Sequence, residues 1–91
     1  MSEPASRTVL ITNKRGLHAR ASAKFVTLAS SQPVPLTVVK DGSPVTATSI
    51  MGLMMLGAAM GDTITISATG DGAEGAVAAL AQLVEERFGE D

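Results

Sequence analysis

The spacing of apolar residues along the chain predicts two amphipathic helices. Between Ala19 and about Ser30, apolar residues recur at the i, i+4, i+7 and i+8 positions of one helical face. The motif "SQPVP" ends this helix, because the residue before a proline avoids the helical region. Asp71 and Glu74 are typical of the N-cap and N3 positions of a last helix. The apolar side of that helix is formed by Val77, Leu80, Val84 and Phe88.

Strand-like patterns occur in four further segments. Residues 36–40 and 45–48 flank the turn sequence "DGS" and are predicted to form a hairpin. The other two segments are the β-rich run "TVLIT" at 8–12 and the alternating residues 63–69. This order favours an α+β sandwich, in which helices cover one face of a four-stranded sheet. The length of 91 residues predicts a single domain, 1–91, with an ordered core of about 7–89.

The stretch "SIMGLMMLG" predicts a short helix that is apolar on two sides. Ser49 is a good N-cap residue and Gly57 a good stop. A small domain cannot bury both sides, so we expect Leu53 and Leu56 to face the core. The opposite side would form an exposed apolar patch suited to binding partners: Ile50, Met51, Met54 and Met55. The alternative is a helix that is buried all round, for instance by a dimer.

Composition excludes several classes of site. The chain has no cysteine and one histidine, so disulfide bonds and a thiolate nucleophile are absent, and neither a zinc site nor a cofactor is expected. The longest apolar run, 50–60, is shorter than the roughly 20 residues that cross a bilayer. The polar start "MSEPASR" has no feature of a signal peptide. The sequence therefore predicts a cytoplasmic protein without membrane insertion.

Charge is divided between the two halves of the chain. Six basic residues and no acidic one lie between Pro4 and Lys40, whereas eight acidic residues and one arginine lie from Asp41 onward. Four of the bases form a basic patch around the histidine: Lys14, Arg15, Arg20 and Lys24. Such a patch attracts a phosphate or an acidic partner. Nucleic acid is not expected, because two phenylalanines are the only aromatic residues available to stack on bases.

The single histidine, His18, lies in "RGLHARASAKF" where the first helix is predicted to begin. An unperturbed imidazole titrates near neutral pH, and its unprotonated form is a nucleophile. A helix N-terminus binds anions. Arg20 can add a guanidinium that holds phosphate oxygens through paired hydrogen bonds. Ser22 lacks the context of a nucleophilic serine. These residues describe a nucleophile with an anion cradle, and they describe an ordinary capping histidine equally well.

Four motifs together favour the first of these hypotheses. "GLHARASAKF", "SIMGLMMLG", "GDTITISATG" and "ERFGE" occur in the order and spacing of the histidine-containing phosphocarrier (HPr) family of the bacterial phosphotransferase system, which the chain resembles over roughly 7–90. The resemblance implies an open-faced β-sandwich, a four-stranded antiparallel sheet backed by three helices. It also implies a phosphoryl carrier with a covalent phosphohistidine, not an enzyme that turns over a small substrate.

The resemblance assigns roles to individual residues. It implies that Nδ1 of His18 takes a phosphoryl group from phosphorylated enzyme I, that Arg20 contacts this phosphate, and that an enzyme IIA receives it. Ser49 matches the serine that an HPr serine kinase/phosphorylase modifies in some bacteria. The docking surface would include Ile50, Met51 and Met54, with Met55 and Lys24 beside them. The carrier is expected to be a monomer.

Three positions depart from the family pattern. Ala21 stands where many relatives have proline, so we expect a less rigid first turn of the helix. Thr27 and Ser30 stand where sugar-transport relatives often carry lysine, which favours the nitrogen-related, NPr-like branch. One alternative is therefore a regulatory relative that binds target proteins without serving sugar uptake. A more remote alternative is a small α+β ligand-binding domain in which His18 is only a cap.

Overall fold

The computed structural model describes residues 4–90, which contain four strands, three α-helices and one 3-10 turn. The strands are β1 (Ala5–Leu10), β2 (Leu36–Lys40), β3 (Ser43–Thr46) and β4 (Thr63–Ala68). The helices are α1 (Ala19–Ser30), α2 (Ile50–Met55) and α3 (Ala73–Glu85), and the 3-10 turn is Arg87–Gly89. The predicted α+β class is confirmed, and α1 has the predicted bounds.

The four strands form one antiparallel sheet in the order β1-β4-β2-β3. Alternate residues of β4, Ile64, Ile66 and Ala68, are buried, as expected for a sheet that is covered on one face. On that face α3 packs across β1 and β4, and α1 packs against α2 and α3. The core between the layers contains Phe25 and Leu80, both fully buried.

Two strands begin earlier in the chain than the sequence pattern predicts. Asp41 and Gly42 have φ angles of 50° and 79°, the left-handed pair of a tight two-residue hairpin turn, so β3 begins at Ser43 and not at residue 45. Pro44 is tolerated because β3 is the edge strand. The first strand was predicted at 8–12, but it begins at Ala5 and ends at Leu10.

The last helix differs from its prediction at both ends. Its N-cap is Gly72 and not Asp71, because the chain enters with a φ of 89°, and a Cβ at Gly72 would lie 2.8 Å from Pro33 Cγ. Phe88 was expected on the apolar side of the helix, but α3 ends at Glu85. Phe88 lies in the following 3-10 turn with a φ of 55° and is still 1% exposed. Burial of its ring, worth about 1.5–3 kcal/mol, offsets the cost of that backbone conformation.

The short helix α2 follows its prediction closely. Ser49 is its N-cap, and Gly57 follows its C-terminus with a φ of 64°. Leu53 is completely buried, and Leu56 is partly buried against the core. No helix within residues 4–90 is long and apolar enough to cross a membrane.

Candidate functional site

His18 is the N-cap of α1, as predicted. Its backbone is extended, with φ −71° and ψ 178°, and its carbonyl oxygen accepts the N–H of Ser22 at 2.8 Å. The backbone N–H of Arg20 donates to Nδ1 of the imidazole at 3.2 Å. A capping side chain must accept from the first turn, so Nδ1 carries its lone pair on the side of the helix N-terminus.

The loop before His18 is fixed by backbone contacts with the segment that follows α2. The N–H of Leu17 donates to the carbonyl oxygen of Ala58 at 2.9 Å. Gly16 has a φ of 60°, and a Cβ there would overlap the Ala58 carbonyl oxygen and lie 2.8 Å from Ala59 Cα. Glycine is therefore required on two counts, backbone conformation and close approach. These contacts set the position from which His18 enters the helix.

The other nitrogen of the ring contacts the C-terminal segment, and no pattern in the sequence predicts this contact. Nε2 of His18 lies 2.6 Å from Oε2 of Glu90, and the two side chains are 17% and 23% exposed. The hydrogen bond from His18, helped by Asn13 and the charge of Arg15, holds the pKa of Glu90 below its ordinary value although desolvation acts against it. His18 is half-buried, because Glu90 covers one edge of its ring.

Nothing in local spacing points to Glu90. It follows His18 by 72 positions and belongs to the motif "ERFGE", for which the sequence predicts no role. Its only signal was membership of that motif.

The basic patch divides into exposed residues and one that is partly engaged. Lys14, Arg15 and Arg20 are exposed, and within residues 4–90 the Arg20 guanidinium has no hydrogen-bond or ion-pair partner. Lys24 is exposed too, but its Nζ donates to the carbonyl oxygen of Phe88 at 2.7 Å. Arg20 is therefore available to an incoming anion, whereas Lys24 also fixes the C-terminal turn.

Ser49 and the apolar side of α2 form the second part of the site. The hydroxyl oxygen of Ser49 accepts the N–H of Gly52 at 2.9 Å, which is an N-cap contact. The α2 patch, defined as the exposed apolar residues of this helix, comprises Ile50 (41% exposed), Met51 (71%), Met54 (42%) and Met55 (80%). Its predicted exposure is confirmed. Two further exposed apolar residues, Leu10 and Met60, were not predicted.

Ala21 stands at the third position of α1 and is fully buried. The helix begins at the predicted residue, Ala19, with Ala21 at the position where the family resemblance leads us to expect proline. Within the part of the chain that the structure describes, no group of three acidic, histidine or cysteine side chains is placed to hold a metal ion.

Comparisons with known proteins agree with this geometry. The family model described as "PTS HPr component phosphorylation site" matches residues 5–86. The chain is 45% identical to phosphocarrier protein HPr of Cupriavidus necator, over 92% of this chain and 94% of the relative. It is 43% identical to phosphocarrier protein NPr of Shewanella violacea, over 92% of each chain. The crystal structure of HPr-C-His from Thermoanaerobacter tengcongensis superposes with a TM-score of 0.90, at 46% identity, covering 96% of this chain and 98% of that one.

Proposed function

Because the chain belongs to the HPr family and is a phosphocarrier of the phosphotransferase system, we propose that His18 carries the phosphoryl group on Nδ1. The observation that supports this most is the orientation of the ring. Nδ1 faces the N-terminus of α1, while Nε2 is engaged by a carboxylate. The nucleophilic nitrogen therefore lies where an anion is stabilised.

The transfer would proceed by displacement at phosphorus. The Nδ1 lone pair forms the new P–N bond, and the bond from phosphorus to the donor breaks with its electron pair leaving on the donor. Once its lone pair is bonded to phosphorus, Nδ1 no longer accepts the backbone N–H of Arg20. Arg20 can then offer the phosphate oxygens two kinds of donor, this N–H and its guanidinium. Transfer to the acceptor is the same step in reverse, with the acceptor in the donor's place.

HPr proteins work with enzyme I and enzyme IIA, and we assign their docking to two surfaces. The α2 patch offers exposed, adaptable apolar side chains. The basic patch, Lys14, Arg15, Arg20 and Lys24, would attract acidic groups on either partner and orient them toward His18. The division agrees with an apolar contact region beside a charged region that steers association.

Ser49 is proposed as the regulatory site that an HPr serine kinase/phosphorylase would modify. Ser49 is partly exposed at the N-terminal end of α2, directly before Ile50 and Met51 of the α2 patch. A phosphate there adds roughly −1.5 to −2 charges that a docking partner must desolvate. Phosphorylation of Ser49 would therefore weaken docking without unfolding the protein.

We further propose that residues 1–91 form one phosphocarrier domain, cytoplasmic, monomeric and without a cofactor. Size-exclusion chromatography with light scattering should give the mass of a single chain at micromolar concentration, and a dimer mass would contradict the monomer. The regulatory, NPr-like alternative and the ligand-binding alternative are not favoured by a specific contact or relative, since HPr and NPr relatives match at 45% and 43% identity.

The phosphorylation assay tests the assignment of His18. The protein is incubated with phosphoenolpyruvate and catalytic enzyme I, and the product is exposed to acid and to base. Phosphate that is labile in acid and stable in base identifies phosphohistidine and distinguishes it from phosphoserine. His18→Ala should accept no phosphate while keeping its fold, because loss of a partly exposed cap costs about 1 kcal/mol. Acid-labile phosphate on the variant would show that another residue is the acceptor.

A further inference from the structure

The C-terminal segment contributes a side chain to the phosphorylation site. We propose that Glu90 is a positioning residue: its carboxylate accepts the Nε2 proton of His18 and thereby keeps the Nδ1 lone pair directed at the helix N-terminus. This inference rests on the proposed role of His18 as the phosphoryl acceptor.

The two hydrogen bonds of the imidazole require the same tautomer. An ionised carboxylate can only accept, so Nε2, 2.6 Å from Glu90 Oε2, must carry the proton. The backbone N–H of Arg20 can only donate, so Nδ1, 3.2 Å away, must carry the lone pair. Two contacts from opposite ends of the chain therefore agree on which nitrogen is nucleophilic. A neutral imidazole without them can exchange its tautomers and rotate.

Glu90 is itself held in place by a buried amide. Asn13 is 2% exposed, and its Nδ2 donates to the carbonyl oxygen of Gly16 at 2.9 Å. The same nitrogen lies 3.4 and 3.5 Å from the two carboxylate oxygens of Glu90. One side chain thus connects the loop before His18 with the carboxylate behind it.

The residues just before Glu90 are anchored as well. Phe88 is buried in the core, and Lys24 of α1 donates to its carbonyl oxygen at 2.7 Å. This anchor limits how far Glu90 can move from the ring, although it stands near the end of the chain. An anchored approach of this kind is expected for a side chain whose task is orientation.

The carboxylate also suits the charge that develops during transfer. As phosphorus bonds to Nδ1 and the donor leaves with its electron pair, the ring becomes positively charged while the proton stays on Nε2. Glu90 faces that proton, so it stabilises the charge where it forms. No proton has to leave the ring, and the same contact serves the return step, in which the P–N bond breaks and the pair returns to Nδ1.

A pair of variants separates positioning from general charge effects. Glu90→Ala removes the contact, whereas Glu86→Ala removes a carboxylate of the same segment that is exposed and accepts from Gln82 at 3.1 Å. Single-turnover transfer from phosphorylated enzyme I is measured over a range of enzyme I concentrations. We expect the saturating rate to fall about tenfold or more in Glu90→Ala, with the half-saturating concentration unchanged or lower. Glu86→Ala should behave as wild type.

The two kinetic constants decide the outcome. An unchanged saturating rate in Glu90→Ala would overturn the proposal, and so would an equal loss in Glu86→Ala. A change confined to the half-saturating concentration would overturn it too, because that result describes a docking residue. Glu90→Gln keeps an acceptor oxygen and should fall between Glu90→Ala and wild type.

A second measurement needs no enzyme I and keeps this inference separable from the proposed function. Long-range ¹H–¹⁵N spectra of the unphosphorylated full chain, taken where the ring is neutral, show which nitrogen of His18 bears the proton. We expect an Nε2 proton that exchanges slowly with water, and faster exchange in Glu90→Ala. A proton on Nδ1, or equal exchange in both proteins, would overturn the inference. Failure of wild type to accept phosphate, with these spectra as expected, would instead refute the role of His18.

Discussion

Replacing Gly16 with alanine tests whether the loop before His18 is held by a close backbone contact. The added Cβ would overlap the Ala58 carbonyl oxygen and lie 2.8 Å from Ala59 Cα, and both are backbone atoms that cannot rotate away. Gly57→Ala is a matched control, because its φ of 64° is close to the 60° of Gly16 and nothing lies within 4 Å of its added Cβ. The difference between the two variants therefore isolates the steric contact.

The expected magnitudes follow from two separate costs. The left-handed conformation costs a non-glycine residue about 1–2 kcal/mol, which applies to both variants. Overpacking adds about 1–3 kcal/mol, which applies to Gly16→Ala alone. We therefore expect losses in the free energy of unfolding of about 1–2 kcal/mol for Gly57→Ala and about 2–5 kcal/mol for Gly16→Ala. The second loss is a large part of the roughly 5–15 kcal/mol typical of a whole domain.

Urea denaturation followed by circular dichroism measures both losses, provided that the slope of the transition is unchanged. Relief of the overlap must move the loop away from Ala58, which lengthens the 2.9 Å hydrogen bond from Leu17 and displaces His18. A displacement of about 1 Å can slow transfer as much as 100-fold, so phosphoryl acceptance should fall in Gly16→Ala and not in Gly57→Ala. Equal losses of stability in the two variants would refute the argument from close contact.

The remaining predictions concern the cradle and the docking surfaces. Arg20→Lys keeps the charge but loses the planar fork, so single-turnover transfer should slow while circular dichroism stays unchanged, and equal rates would leave Arg20 only a steering role. Met51→Glu should weaken enzyme I binding in calorimetry with little change in melting temperature, because Met51 is exposed. Leu53→Ala truncates a buried side chain of the same helix and should lower the free energy of unfolding by about 2–5 kcal/mol. Ser49→Asp should reduce enzyme I affinity in part and leave the melting temperature near wild type; unchanged affinity of the Ser49-phosphorylated protein would remove the regulatory role.

Much of the candidate site could be predicted because its parts are local. The N-cap position of His18 depends on the residues that follow it within one helical turn, and so does the cap of α2 by Ser49. The exposure of Met51 follows from 3.6 residues per turn and from the limited core of a small domain. In each case the interactions that select the conformation occur largely between residues a few positions apart. They can therefore be predicted from the sequence.

Elements that depend on chain entry and exit were predicted less well. The capping pattern at Asp71 and Glu74 predicts an N-cap one residue before the true one. The chain enters α3 through Gly72, where both the left-handed φ of 89° and the close approach of Pro33 favour glycine. Phe88 has the spacing of a helical core residue, yet it reaches the core from a separate turn. Burial was predicted correctly and conformation was not, because apolar spacing reports which side chains are buried and does not report the path of the backbone.

The sequence by itself determined the fold class, the first helix and the histidine at its start. Only the tertiary structure decided which side chain contacts Nε2 of that histidine and what holds it there. Glu90 makes the contact, Asn13 lies against its carboxylate, and Lys24 fixes the turn before it, so three separate parts of the chain take part. Such contacts form only when the packing of the sheet and helices places the C-terminal segment beside α1. Their geometry is set by that packing and by no local pattern, which is why the position of His18 at the start of α1 could be predicted from the sequence and its contact with Glu90 could not.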